Sequence, residues 1–216
     1  ADHSLDFRLH MPAALSHVLA NDRYNWYYHS EPESGLNHRR LYCPRGRVLG
    51  GSSSINGMIY IRGNAADFDG WAAMPGLEDW SYEKCLPYFK RAEACDHGDS
   101  DVRGKDGPLF IGKLAAETPL FKAWLEAGEH AGFGRTDDFN GRRQEGVGIY
   151  DCTIKSGRRF STARAYLHPA LNRDDLSVIK KALVTKIIFS GTRAVGVQYA
   201  IGRQLHNIYA EREVIL

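Results

Sequence analysis

The chain carries apolar residues in two periods, helical in its first three quarters and alternating in its last. Leu120, Phe121, Trp124, Leu125 and Ala131 recur at helical spacing, with Thr118 as a cap, Pro119 at the first position and Gly132 as a stop. That combination predicts a helix over 118–131. Residues 11–19 read as a short helix with Pro12 in its first turn, where the missing N–H leaves no bond unmade. Asp79 or Ser81 can cap a helix through Glu93, which Pro87 must either start or kink, and Ser161 opens another through about Leu171. Beyond it the period drops to two: 176–181, 183–190 and 193–200 read as strands, with Gly191-Thr192 as a tight hairpin between the last two. Segments 205–210 and 211–216 extend the β pattern, and 21–37 reads as a polar, aromatic loop. The fold class is therefore α/β in the mixed α+β sense, with a β-meander near the C-terminal end. No internal repeat or low-complexity linker interrupts it.

Composition narrows the class further. Among 216 residues, 43% are apolar and 25% charged, so the chain can bury a core and lies far from disordered compositions. The formal net charge of +2 lacks the basic excess of a nucleic-acid binder. The arginines Arg39, Arg40, Arg45 and Arg47 around Tyr42 read as a solvated or cofactor-facing patch. No apolar run approaches the ~20 residues of a membrane span, and Ala1, Asp2 and His3 do not begin a signal peptide. We expect a cytoplasmic protein without a transmembrane segment, a peripheral position at the inner face of the cell membrane being left open. The absence of Met at position 1 and a β pattern running to Leu216 read as an excised piece of a longer chain.

Metal chemistry finds little support in spacing. Cys43, Cys85, Cys95 and Cys152 form no C-x-x-C pair and read as reduced structural thiols. The nine histidines show neither H-x-x-x-H nor H-x-H. Asp99-Ser-Asp101-Val-Arg103 begins like a calcium loop, but Arg103 takes the fifth position and Phe110 the twelfth, where a glutamate belongs. No metal site is expected.

The most informative stretch is 45–63, with five glycines, three serines and three arginines. Gly50 and Gly51 allow φ > 0 and close backbone approach, while Ser52 to Ser54 can cap a following helix whose start would suit an anion. Gly46 and Gly51 have the spacing of a Walker loop, yet Ser52 stands where lysine is required. G-x-G-x-x-G is absent as well. The bland alternative is a glycine-rich turn before a buried helix.

These residues, Pro44-Arg-Gly-Arg-Val-Leu-Gly-Gly-Ser-Ser-Ser-Ile-Asn-Gly-Met-Ile-Tyr-Ile-Arg-Gly63, resemble the first signature of the glucose-methanol-choline (GMC) flavoprotein oxidoreductases. The likeness continues through Arg23-Tyr-Asn-Trp26, Asn64-Ala-Ala-Asp67, Trp80-Ser-Tyr82, residues 137–146, Gly157-Arg-Arg-Phe-Ser-Thr-Ala-Arg164 and Arg193-Ala-Val-Gly-Val197. Phe7-Arg-Leu-His-Met-Pro-Ala-Ala14, Pro75-Gly-Leu-Glu-Asp-Trp80 and Cys85-Leu-Pro-Tyr-Phe-Lys-Arg91 lean toward the choline-oxidising branch.

The resemblance implies a Rossmann-like FAD-binding domain, of which residues 1–216 would be an incomplete N-terminal region. The first βαβ dinucleotide motif and the C-terminal catalytic region would lie outside it. By position, Gly50, Gly51, Ser52, Asn56, Gly57, Met58 and Ile59 fall where relatives contact the flavin or its pyrophosphate. Trp26 would flank the flavin, and the backbone of Val184 would meet the adenine; packing alone would make Val184 and Ile59 ordinary strand residues. Ile55 occupies the position of a flavin-linked histidine in some relatives and cannot form that bond, which implies dissociable FAD. The implied reaction is hydride transfer from an alcohol to flavin N5, choline giving betaine aldehyde, with a respiratory electron acceptor as one partner. A medium- or long-chain aliphatic alcohol dehydrogenase and a non-catalytic ligand-binding module are the alternatives. No catalytic residue is assigned, and the 216-residue piece is expected to be inactive by itself.

Overall fold

Asp6 caps a single helical turn, α1 (Phe7–His10), by accepting from the Arg8 amide at 3.1 Å. A 3-10 turn at Pro12–Ala14 then leads into α2 (Leu15–Leu19), so the helix expected over 11–19 forms in two pieces. The computed structural model describes residues 6–114 and 118–216; the readings made on Ala1, Asp2 and His3 lie outside them. The chain divides into a first unit that ends at Asn172 and a second, Arg173–Leu216.

The first unit continues with a two-stranded ribbon, β1 (Tyr28–His29) against β2 (Tyr42–Cys43), and a short strand β3 (Ile59–Tyr60). Asn64 caps α3 (Ala65–Ala72) by accepting from the Ala66 amide, a helix the sequence analysis did not anticipate. Ser81 caps α4 (Tyr82–Ala92), which keeps Pro87 inside it. Phe68 of α3 meets Phe89 of α4 at 5.6 Å between ring centres and Trp71 meets Trp80 at 6.4 Å, fixing the two helices together. Next come β4 (Glu93–Cys95), β5 (Leu109–Lys113) and α5 (Pro119–His130), which follows its sequence signals closely. Thr118 Oγ1 accepts from the Phe121 amide, and Gly132, at φ +88°, closes the helix as the Phe133 amide reaches Gly128 O. Strands β6 (Asp151–Cys152), β7 (Ile154–Lys155) and β8 (Arg158–Arg159) are two residues each. The helix expected from Ser161 is instead a π-helical turn, Ala163–Leu167, followed by α6 (His168–Ala170).

Two features hold this unit together. Leu9, Val18, Tyr24 and Ile55 form a buried cluster with Leu19 and Val48 packed against it, tying α1 and α2 to the segment after Gly50. The second is a four-stranded sheet in the order β3-β6-β5-β4, antiparallel except for β4 beside β5. Its register places Tyr60 opposite Asp151 and Lys113 opposite Asp151. With the two-residue period of a strand, Tyr60, Asp151, Lys113, Ile111, Glu93 and Cys95 share one face.

The second unit contains the meander β9 (Leu183–Ser190), β10 (Arg193–Ile201) and β11 (Gln204–Tyr209). Gly191 and Gly202, both at φ +60°, open its two-residue turns, the arrangement a type II′ hairpin requires. Residues 176–181 and 211–216, expected as strands, are not. No other strand pairs with them among the described residues, and alternation alone supplies no hydrogen bonds.

Candidate functional site

The segment 45–63 is held from behind by Asn25, a residue 1% exposed. Its Oδ1 accepts from the Tyr27 and Arg45 amides at 3.1 and 3.0 Å, and its Nδ2 donates to Leu19 O. The Trp26 amide donates to Arg45 O and the Arg47 amide to Tyr24 O, so Trp26 runs alongside the start of the loop. The Arg47 guanidinium lies 4.7 Å from the centre of the Trp26 ring, and Trp26 is half-buried.

The three serines do not start a helix. They form one 3-10 turn, Gly51–Ser54, that ends at Ile55. Their hydroxyls bond to the backbone: Ser53 Oγ donates to Gly50 O at 2.6 Å and accepts from the Thr162 amide at 3.0 Å, Ser54 Oγ donates to Leu49 O at 2.7 Å, and Ser52 Oγ accepts from the Gly46 amide. The helix-start anion site expected from Ser52 to Ser54 is therefore absent, because serine side chains compete for neighbouring backbone groups. What the loop offers instead is exposed backbone. A Cβ on Gly51 or Gly57 would meet nothing within 4 Å, whereas one on Gly46 would lie 2.1 Å from Gly51 O. The glycines thus do two jobs, tight crossing on the inside and an open face outside.

Ser52, Asn56, Gly57 and Ile59 are exposed and lie within this one stretch. Gly50 and Gly51 both have positive φ and are half-buried. Met58 is buried, at φ +63°, with its amide donating to Asn56 Oδ1 and its carbonyl accepting from the Thr153 amide. Ile55 is 1% exposed and packs into the core cluster. Val184 belongs to the second unit, on β9, where it is exposed.

Behind the loop lies Arg159, from β8, 1% exposed. Its NH1 donates to Asn56 O at 2.6 Å, Asn56 Oδ1 at 2.9 Å and Ser53 O at 3.3 Å, and its Nε to Leu9 O. Burial alone pulls its pKa down to about 10, which leaves it cationic at neutral pH.

A second constellation, missed at the level of sequence, covers the shared sheet face. Glu93 Oε1 accepts from Arg62 NH2 at 2.6 Å, Arg103 Nε at 3.0 Å and the Gly104 amide at 2.7 Å. Arg103 also donates to Asp138, Asp151 and Cys95 Sγ. Burial pushes the Asp151 carboxyl up, but hydrogen bonds from Arg103, Lys113 and His97 outweigh it and leave the carboxyl below its ordinary value. Burial raises the Cys95 thiol. Cys95, His97 and Asp151 bring one ligand atom each within 4.8 Å of one another, a set that could hold a metal ion. The Cys95 and Asp151 atoms are already engaged by Arg103 and Lys113, whose charges oppose a cation, and His97 Nε2 lies 2.9 Å from Asp151 Oδ1. Asp99 and Asp101, the start of the calcium-like loop, bind Arg142 at 2.7 and 2.6 Å.

Residues 13–216 match the family model described as GMC oxidoreductase. The whole chain is 54% identical to the oxygen-dependent choline dehydrogenases of Pseudomonas savastanoi pv. phaseolicola and Pectobacterium carotovorum, and it spans 39% of their length. Among solved structures, pyridoxine 4-oxidase from Mesorbium loti superposes with a TM-score of 0.90 at 30% identity, over 98% of this chain and 42% of that one. An FAD-dependent oxidoreductase from Chaetomium thermophilum gives 0.78 at 29% identity, over 87% and 35%. No helix among the described residues is long and apolar enough to cross a membrane.

Proposed function

Because the chain belongs to the GMC oxidoreductase family, we propose that residues 1–216 are the incomplete FAD-binding region of an enzyme that oxidises choline to betaine aldehyde. The observation that carries this reading is the 54% identity, over the full chain, to proteins named choline dehydrogenase. FAD, when bound, would supply the acceptor for the hydride leaving the alcohol carbon. The open positions at Gly51 and Gly57, beside exposed Ser52 and Asn56, fit a ligand laid against backbone, and the buried Arg159 behind them fits a ligand that carries negative charge. In this reading Gly50, Gly51, Ser52, Asn56, Gly57, Met58 and Ile59 hold the cofactor, Trp26 flanks it, and Val184 meets its adenine. Ile55 has no nucleophilic atom, so the cofactor is held without a covalent bond. Choline is the small-molecule partner, and the protein works in the cytoplasm.

The test is anaerobic addition of choline to the protein at its natural full length, followed by the absorbance of oxidised flavin, with a straight-chain alcohol beside it. Bleaching by choline alone supports the proposal. Bleaching only by the aliphatic alcohol moves the substrate and keeps the cofactor, and a preparation without flavin overturns both.

A further inference from the structure

Among the described residues three arginines are buried, Arg62, Arg103 and Arg159, and one of them has no anionic partner there. Arg62 and Arg103 meet carboxylates at 2.6–3.0 Å. Among the described residues Arg159 meets only carbonyl and amide oxygens, and its NH2 nitrogen has no hydrogen-bond partner. Burying a guanidinium against neutral dipoles is unfavourable unless a negative charge is brought near it. Among the described residues no carboxylate lies within ion-pair distance of it.

The direction of its hydrogen bonds matters as much as its charge. In a planar trans peptide the C=O and the following N–H point opposite ways. Asn56 O is drawn toward Arg159, so the N–H of Gly57 is turned away from it, and Ser53 O does the same for the N–H of Ser54. Gly57 is exposed, with no side chain and open space where a Cβ would stand. The same guanidinium therefore aims a donor outward and adds positive potential behind it.

We infer that Arg159 is a positioning residue for the cofactor, presetting the Asn56-Gly57 peptide and compensating negative charge on the bound dinucleotide. The inference rests on the FAD reading above. That negative charge has two sources, the pyrophosphate and the reduced flavin ring, and they separate experimentally.

The experiment uses the protein at natural full length, freed of flavin, with Arg159→Met and Arg159→Lys compared against the unaltered chain. Methionine keeps much of the apolar bulk while removing the charge, and far-UV circular dichroism checks that each variant is folded. Binding of FAD and of riboflavin, which lacks phosphates, is read by quenching of flavin fluorescence, and the reduction potential of each FAD-loaded form is measured. If the pyrophosphate is the anion, Arg159→Met weakens FAD at least tenfold, leaves riboflavin unchanged, and Arg159→Lys recovers part of the loss. If the reduced ring is the anion, oxidised FAD binds as before and the potential of Arg159→Met falls. Equal losses for FAD and riboflavin would make Arg159 a structural residue only and overturn the inference, as would no change in either quantity. An unaltered protein that binds neither flavin sinks the FAD reading itself, and the inference with it.

Discussion

Glu93 is the acceptor on which the buried charge network turns, and replacing it with glutamine tests that network directly. Arg62, Arg103 and Lys113 face Glu93, Asp138 and Asp151, so the charges balance before the change and leave one cation uncompensated after it. Glu93 and Arg103 side chains are fully buried and Arg62 is 2% exposed, so water cannot take over. Removing one partner of a buried pair costs about 3–5 kcal/mol. Glutamine retains an oxygen for the Gly104 amide, which places the expected loss near the lower end of that range. With a urea slope of about 2 kcal/mol per molar, the midpoint falls by about 1.5 M. All four tryptophans, Trp26, Trp71, Trp80 and Trp124, lie in the first unit, so their fluorescence follows the unit that contains Glu93. A second signal comes from Tyr60, whose phenol is pushed up to about 12 by burial and then by the Glu93 charge. Its titration should move down in Glu93→Gln. The double variant Glu93→Gln with Arg62→Met removes a cation as well and should lose less than the sum of the two single changes. A midpoint shift below about 0.3 M, corresponding to under about 0.6 kcal/mol, would refute the idea that the network is a balanced unit.

Other consequences are as concrete. Asp151 is held below its ordinary pKa, so its contribution to stability is present above the unfolded carboxylate value and is lost as pH falls through the lowered folded one. Asp151→Asn should therefore differ most from the unaltered chain at neutral pH, with the gap closing below about pH 4; an equal gap from pH 7 to pH 2.5 would contradict the assignment. Gly46→Ala forces a Cβ to within 2.1 Å of Gly51 O and should cost about 1–3 kcal/mol in denaturant, whereas Gly35→Ala meets nothing within 4 Å and should be neutral or slightly stabilising. Thr118→Ala removes the hydroxyl that accepts from the Phe121 amide, and a loss of about 1 kcal/mol is expected by urea denaturation.

Local signals made some elements legible and left others dark. Helix α5 carries its cap, its proline, its period and its stop within fifteen residues, 118–132, and forms as read. The β9–β10 hairpin is legible for the same reason, since Gly191 sets the turn that joins two β-branched runs. Residues 176–181 alternate equally well, but a strand is made by a partner, and alternation says nothing of where the partner is. The sheet β3-β6-β5-β4 was invisible because most of its strands are two or three residues long and carry Glu93, Lys113 and Asp151, residue types that read as surface. The burial of Glu93 and Asp151 depends on Arg62 and Arg103, which lie outside these strands. At the candidate site the glycines and exposed Asn56 could be found from the sequence, whereas Arg159 could not, because nothing in the pair Arg158-Arg159 says which of the two is buried. Ser52 to Ser54 misled for a physical reason: a hydroxyl that can cap a helix can equally donate to a carbonyl three or five residues back, and Ser53 and Ser54 do so.

The two kinds of sheet also set two clocks. In the meander every strand pairs with its neighbour in sequence through a two-residue turn, so each hairpin closes a small loop and can zip within microseconds. The four-stranded sheet must bring Ile59 to Cys152 and Gly112 to Cys152 before the buried Asp151 can meet Arg103 and Lys113. Closing loops of that length is entropically slow, and the partners it gathers are unfavourable to bury one at a time. The meander is thus expected to be in place while the charged face is still in water, with burial of the charges as the late, cooperative step of folding in the first unit.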